Sequence, residues 1–181
     1  MSSPVIAARQ DFPMIELSPL AVRAGETVEE MVAGLPNNNP EITSAHFPAC
    51  ESARPAGGES GLFLAKPMHD RQHLPTDEVL RLLDAAGLVP AGLPELAALK
   101  KHADELWAAG VYYIIALSRD CIWQQADGGY APYLILNPLD RGFHLHWLGA
   151  DTAGGTKAVA DDQRADLPGQ LWFLVRRKGT R

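Results

Sequence analysis

The apolar positions of this chain change period along its length, and the change separates helical from extended segments. From Thr76 to Ala86, the apolar residues Val79, Leu82, Leu83 and Ala86 recur at helical spacing behind Asp77 and Glu78, two acids that suit the positive end of a helix dipole. Thr76 is placed to cap this helix and Gly87 to stop it. A second helix is predicted from Pro94, a favourable first helical residue, to Ala109, with Gly110 behind it. Its stripe is Leu96, Leu99, Ala103, Leu106 and Trp107.

Beyond Gly110 the helical period is lost. Val111 to Leu117 is continuous, β-branched and aromatic, as in a buried strand, and Cys121 to Trp123 resumes extended chain. Asp127-Gly128-Gly129 is a hairpin signal, and residues 130–136 alternate up to the turn-forming Asn137 to Gly142. Phe143, Leu145 and Trp147 then alternate with His144, His146 and Leu148, the pattern of a half-buried strand. A long polar loop is expected over 149–169, followed by a closing strand over 170–177.

The first third is less periodic. Residues 1–24 read as an irregular arm of extended chain lying on the body. Thr27 and Glu30 have the spacing of a capping box for a short helix that stops at Gly34, and Asn37 to Pro40 signals a turn. Residues 49–61 are small, polar and Gly-rich and read as a loop, Gly61 to Ala65 reads as a strand, and 66–75 as another loop. The expected organisation is an arm, 1–24, and one domain, 25–181, without internal repeats. The expected class is α+β, with two main helices on a mostly antiparallel twisted sheet.

Composition narrows the function classes. The 181 residues are 46% hydrophobic and 21% charged, enough to bury a core. The net charge of −6 argues against a nucleic-acid or anionic-membrane partner, both of which need clustered cations. The one basic cluster, Arg176, Arg177, Lys178 and Arg181, reads as a solvated tail, or else as a contact site. No apolar run is long enough to cross a membrane, and residues 1–10 lack the pattern of a secretion signal, so a cytoplasmic location is expected. Cys50 and Cys121, 71 positions apart and without a CxxC context, are expected to be buried reduced thiols, with a disulfide as the lesser alternative.

His144-Leu145-His146 is the sharpest chemical feature. Residues i and i+2 of a strand share a face, so two imidazoles can approach one metal, and Asp151 lies five residues on. A divalent transition metal is one reading; an exposed polar strand face and metal-free ligand contacts are the others, and no cofactor is the expectation. His69 and His73 sit at helical metal spacing, but Pro67 and Pro75 flank them, which favours a loop. No nucleophile elbow, phosphate-cradling loop or dinucleotide fingerprint is present, and Ser118 has no histidine at an interpretable spacing. No catalytic residue is assigned. By alternation Trp147 shares the core face with Phe143 and Leu145, whereas for Trp172 and Phe173 either face can be the buried one.

Several of these segments, in order, resemble one family. Gly87 to Leu96 (GLVPAGLPEL) resembles the helix-start motif G-[YW]-R-[LP]-[AP]-T-x-x-E-[LW] of bacterial C-type lectin-like domains, among them the formylglycine-generating enzymes and the variable proteins of diversity-generating retroelements. Ile115 to Trp123 resembles their ALGSxW strand, Tyr130 to Leu134 a YVPYL strand, Leu145 to Leu148 an LxWF strand, and Trp172 to Lys178 the terminal RFLAVRK. Val28 to Met31 and Ile42 to Pro48 look like the VEEMI and ITxxHFP opening of uncharacterised bacterial proteins with the same tail. The resemblance spans residues 27–178. The motif's Arg is replaced by Val89 or Pro90, and its Thr by Gly92. No calcium-type Glu-Pro-Asn or Trp-Asn-Asp motif occurs, and the paired catalytic cysteines of the formylglycine generators have no counterpart. The resemblance therefore implies a C-type lectin-like scaffold whose last strands and connecting loop display a ligand-binding surface. The expected function is non-enzymatic binding of a protein or small molecule, with Arg141, His144, His146, Asp151 and Gln170 as candidate contacts. A metal-dependent enzyme centred on His144 and His146, and a phage or mobile-element protein that blocks a host protein, are the alternatives.

Overall fold

The computed structural model describes residues 13–17, 20, 22–23, 25–52, 61–66, 76–126, 128–148 and 171–179. Among the described residues eight strands form one sheet: β1 Met14–Glu16, β2 Leu62–Ala65, β3 Leu88–Pro90, β4 Tyr113–Ile115, β5 Trp123–Gln125, β6 Gly128–Ile135, β7 Gly142–Trp147 and β8 Leu171–Arg177. The path runs β1-β2-β8-β4-β6-β5, with β3 also on β8 and β7 along β6. Of these pairs only β4 with β8 is parallel. The helices are α1 Val28–Val32, α2 Pro48–Ser52, α3 Thr76–Ala85, α4 Leu93–Ala98 and α5 Ala103–Ala108.

Both faces of the sheet are covered. Neighbouring residues on each strand divide between two apolar clusters, as strand alternation requires. Ile114, Leu134, Phe143, Leu145 and Leu174 pack with α1, α2, α4 and α5. Ile115, Tyr133, Ile135 and Val175 belong to the other face, where Val79 and Leu83 of α3 pack. The stripe Leu96, Leu99, Ala103 and Leu106 shares its cluster with Phe143 and Leu145, as the alternation predicts. Trp172 and Leu174 take this helix-rich side, Phe173 and Val175 the side of α3, so neither face of β8 is left open.

Local chemistry explains the element boundaries. The Thr27 Oγ1 accepts the Glu30 N–H at 3.3 Å and the Glu30 carboxylate accepts the Thr27 N–H at 2.8 Å, the full capping box expected for α1. At α4 the cap residue is Gly92, which has no side chain to offer; only the return bond forms, from Gly92 N–H to Glu95 Oε2 at 3.0 Å. The expected Asn37–Pro40 turn does more than turn. Asn38 donates to Val32 O and Leu35 O, which ties the end of α1, and its Oδ1 accepts the Phe143 N–H at 3.0 Å. Asn37 and Asn39 N–H donate to Arg141 O and Phe143 O, so this segment pairs with the start of β7. A Cβ on Gly142 would lie 2.0 Å from the Asn37 carbonyl oxygen, so only glycine fits under this clasp.

Several expectations are corrected. The predicted helix 94–109 is segmented, with a 3₁₀ stretch at Leu99–His102 between α4 and α5. The strand expected over 111–117 shortens to β4, and the arm contributes β1, paired with β2. Residues 48–52, largely within the expected loop 49–61, form α2, while 53–60 and the expected loop 67–75, with His69 and His73, lie outside the described residues. The basic cluster is only partly a tail: Arg176 and Arg177 end β8, Arg177 and Lys178 are exposed, and Arg181 lies outside the described residues. Arg176 lies 3.6 Å from buried Glu95, Arg177 sits over the Phe63 ring, and Lys178 pairs with Asp84. Cys50 and Cys121 are buried as expected, but they are joined rather than separate thiols. Their Cα atoms are 5.6 Å apart, because α2 packs on the turn Arg119–Cys121.

Candidate functional site

The β6–β7 hairpin sets the geometry. Its register places Tyr133 opposite His144 and Ala131 opposite His146. His144 and His146 therefore project to one face, opposite to Phe143 and Leu145, and meet Tyr133 there. The Tyr133 ring centroid is 5.6 Å from that of His144 and 6.1 Å from that of His146, the latter edge-on. Tyr133 is buried, while both histidines are intermediate, so three polar rings stand where the second core reaches solvent. This face is less open than alternation alone suggests, because α3 and its apolar neighbours cover the adjoining strands.

Asp140 Oδ1 lies 3.9 Å from His144 Nε2, long for a direct ion pair. Arg141 does not join the histidines. Its guanidinium reaches Asp104 Oδ1 on α5 at 2.6 Å and Leu136 O at 3.4 Å, on the helix-rich side of the sheet. Asp151 and Gln170 lie outside the described residues, as does the whole loop expected over 149–169. The described site is thus His144, His146 and Tyr133, with Asp140 at its margin.

Tyr133 was not a sequence candidate. Its alternation within 130–136 was legible, but pairing it with His144 needs the register, which a six-residue connection, 136–141, does not dictate. Two imidazoles and a phenol offer hydrogen-bond donors and acceptors and aromatic faces. No group of three His, Cys, Asp or Glu side chains with metal-holding geometry occurs among the described residues. A second aromatic group lies on the other side of the sheet: His46 stacks on Trp123 at 4.0 Å, with Phe47 and Tyr130 against the same indole. Across β5, β6 and β7, Trp123, Tyr130 and Trp147 occupy one register row, the Trp147 side chain itself lying outside the described residues.

Among the described residues no helix is long and apolar enough to cross a membrane. The chain matches no protein-family model, no curated protein and no solved structure.

Proposed function

We propose that this chain is a non-enzymatic binding domain for a protein or small-molecule ligand, with its contact surface centred on His144, His146 and Tyr133. The observation that carries the reading is the convergence of these three polar rings on one face of the β6–β7 pair. The opposite face of the same strands is apolar core, and on this face Tyr133 is buried in the second cluster while the two histidines reach its edge. Half-buried polar groups at the rim of a core orient a ligand while the apolar surround supplies contact area. The scaffold is read as C-type lectin-like. Supporting that, the resembling segments fall on α1, on the turn into α2, on β3 with the start of α4, on the stretch from the end of β4 to the start of β5, and on β6, β7 and β8.

A metal centre at the histidines needs a third donor, and the described residues supply none. The sequence candidate for that donor, Asp151, lies outside the described residues, and the metal reading stands as the alternative. The host-blocking reading is a special case of protein binding that no described contact favours.

A thermal-shift screen tests the reading, using saccharides, nucleotides, amino acids, short peptides and divalent metals on wild type and on His144→Ala/His146→Ala. A ligand that binds only the native state raises the melting temperature. The expected result is a compound class that stabilises wild type and not the double variant. Equal stabilisation of both proteins places the binding surface elsewhere, and stabilisation by zinc alone, lost in the variant, restores the metal reading.

A further inference from the structure

The buried sulfur pair sits in surroundings that suit both its oxidation states. Cys50 Sγ lies 3.6 Å from Asp120 O, where a thiol can donate, and Cys121 Sγ accepts the Leu93 N–H at 3.2 Å. A bridge used only as a staple requires neither contact. Gly92 makes room for this arrangement: a Cβ there would stand 2.9 Å from Cys121 Sγ and 3.3 Å from Glu95 Oε2. The Glu95 carboxylate, 3.6 Å from Arg176, crowds the same missing side chain of Gly92. Cys50 belongs to the five-residue α2, and a helix so short has few bonds to break in a local opening.

We propose that Cys50 and Cys121 are a reversible dithiol–disulfide couple that locks α2 and the 42–47 turn onto the segment leading into β5. What the lock controls is the aromatic group on that segment. His46 and Phe47 precede α2, Trp123 follows Cys121 by two residues, and His46 stacks on Trp123 at an interplanar angle of 14°. With the bridge formed, both partners of the stack are tethered within a few residues of one covalent bond. With it broken, only side-chain packing holds α2 in place.

The exchange is a two-electron one with a small disulfide such as oxidised glutathione. After α2 opens, the Cys121 thiol loses its proton to solvent and its sulfur attacks one glutathione sulfur; the small disulfide bond breaks, a mixed disulfide forms, and the first glutathione leaves as a thiolate that takes up a proton. The Cys50 sulfur then attacks Cys121 Sγ and releases the second glutathione as a thiol, its own proton passing to that leaving group. Two protein thiols are oxidised and one glutathione disulfide is reduced to two thiols. The reverse sequence reopens the bridge.

The test equilibrates wild-type protein in mixtures of reduced and oxidised glutathione, quenches in acid, and counts thiols by alkylation and intact mass, with circular dichroism read on the same samples. The expected result is a bridged fraction that runs from nearly complete to nearly absent across the mixtures while the protein stays folded. Amide exchange over residues 42–52 should accelerate by about tenfold or more in the dithiol form. A bridge that survives excess reduced glutathione until denaturant unfolds the protein overturns the proposal, as do thiols that remain unpaired in oxidised glutathione. Equal amide exchange in the two forms overturns it as well. Cys50→Ala/Cys121→Ala serves as the control, and a redox response at 42–52 that persists in it has another source and also overturns the proposal.

Discussion

The two faces of the β6–β7 pair are built by the same alternation from opposite chemistry. On the side of α4 and α5, Leu134, Phe143 and Leu145 are buried among aliphatic side chains. On the side of α3, Tyr133, His144 and His146 bring polar rings to the margin of an apolar cluster. The first face has no group that needs a particular partner and can serve only as core. The second keeps donors and acceptors close to solvent, where a ligand can meet them without the full cost of burying them unpaired. A strand therefore need not be buried on one face and solvated on the other to divide its labour.

The largest expected effect lies on the apolar face. Phe143→Ala should destabilise the protein by about 3–5 kcal/mol, since Phe143 is fully buried. A urea melt with unchanged slope and a lower midpoint checks it, and a loss below about 1 kcal/mol breaks the assignment of this face as core. Next comes the clasp that holds β7. Gly142→Ala pushes a methyl into the Asn37 carbonyl, so the 37–39 segment must move away from β7. Overpacking of this kind costs about 1–3 kcal/mol, and the amides of Asn39 and Phe143, bonded across the clasp, should lose hydrogen-exchange protection. Retained protection at these two amides contradicts the clasp.

The smallest effect depends on pH and lies away from both faces. The Ser44 hydroxyl, and then its backbone N–H, donate to Glu29 and hold its carboxyl below the usual range. A depressed folded-state value contributes stability that is present above the unfolded pKa and lost as pH falls through the folded one. Ser44→Ala should therefore be less stable than wild type at neutral pH. The difference should shrink to nothing as the pH drops through the carboxylate range. A difference that stays constant with pH assigns the Ser44 effect to packing instead.

What the sequence made legible follows from which interactions are local. The capping box of α1, the stripe of α4 and α5, and the alternation of β7 are written in neighbouring residues, and each appears as expected. The pairing of Cys50 with Cys121 and of Glu95 with Arg176 joins residues 71 and 81 positions apart, and spacing carries no trace of either. The second helical layer was hidden for a related reason. The stripe of α3 announced a buried face, but nothing near it says which side of the sheet it covers. Of the candidate site, the His144 and His146 pair was visible from alternation. The departure of Arg141 towards Asp104 was not, because it depends on how close α5 lies to the turn before β7.

Equilibrium denaturation of Leu145→Ala and His146→Ala, measured side by side with wild type, tests the division of β7 into a core face and a recognition face most directly. Leu145 is buried in the apolar cluster, so its truncation should cost about 2–5 kcal/mol. His146 is half-buried and holds an edge contact to Tyr133, so its truncation should cost about 1 kcal/mol or less. A His146→Ala loss equal to that of Leu145→Ala makes the histidine face a second core, and contradicts its assignment as the binding surface.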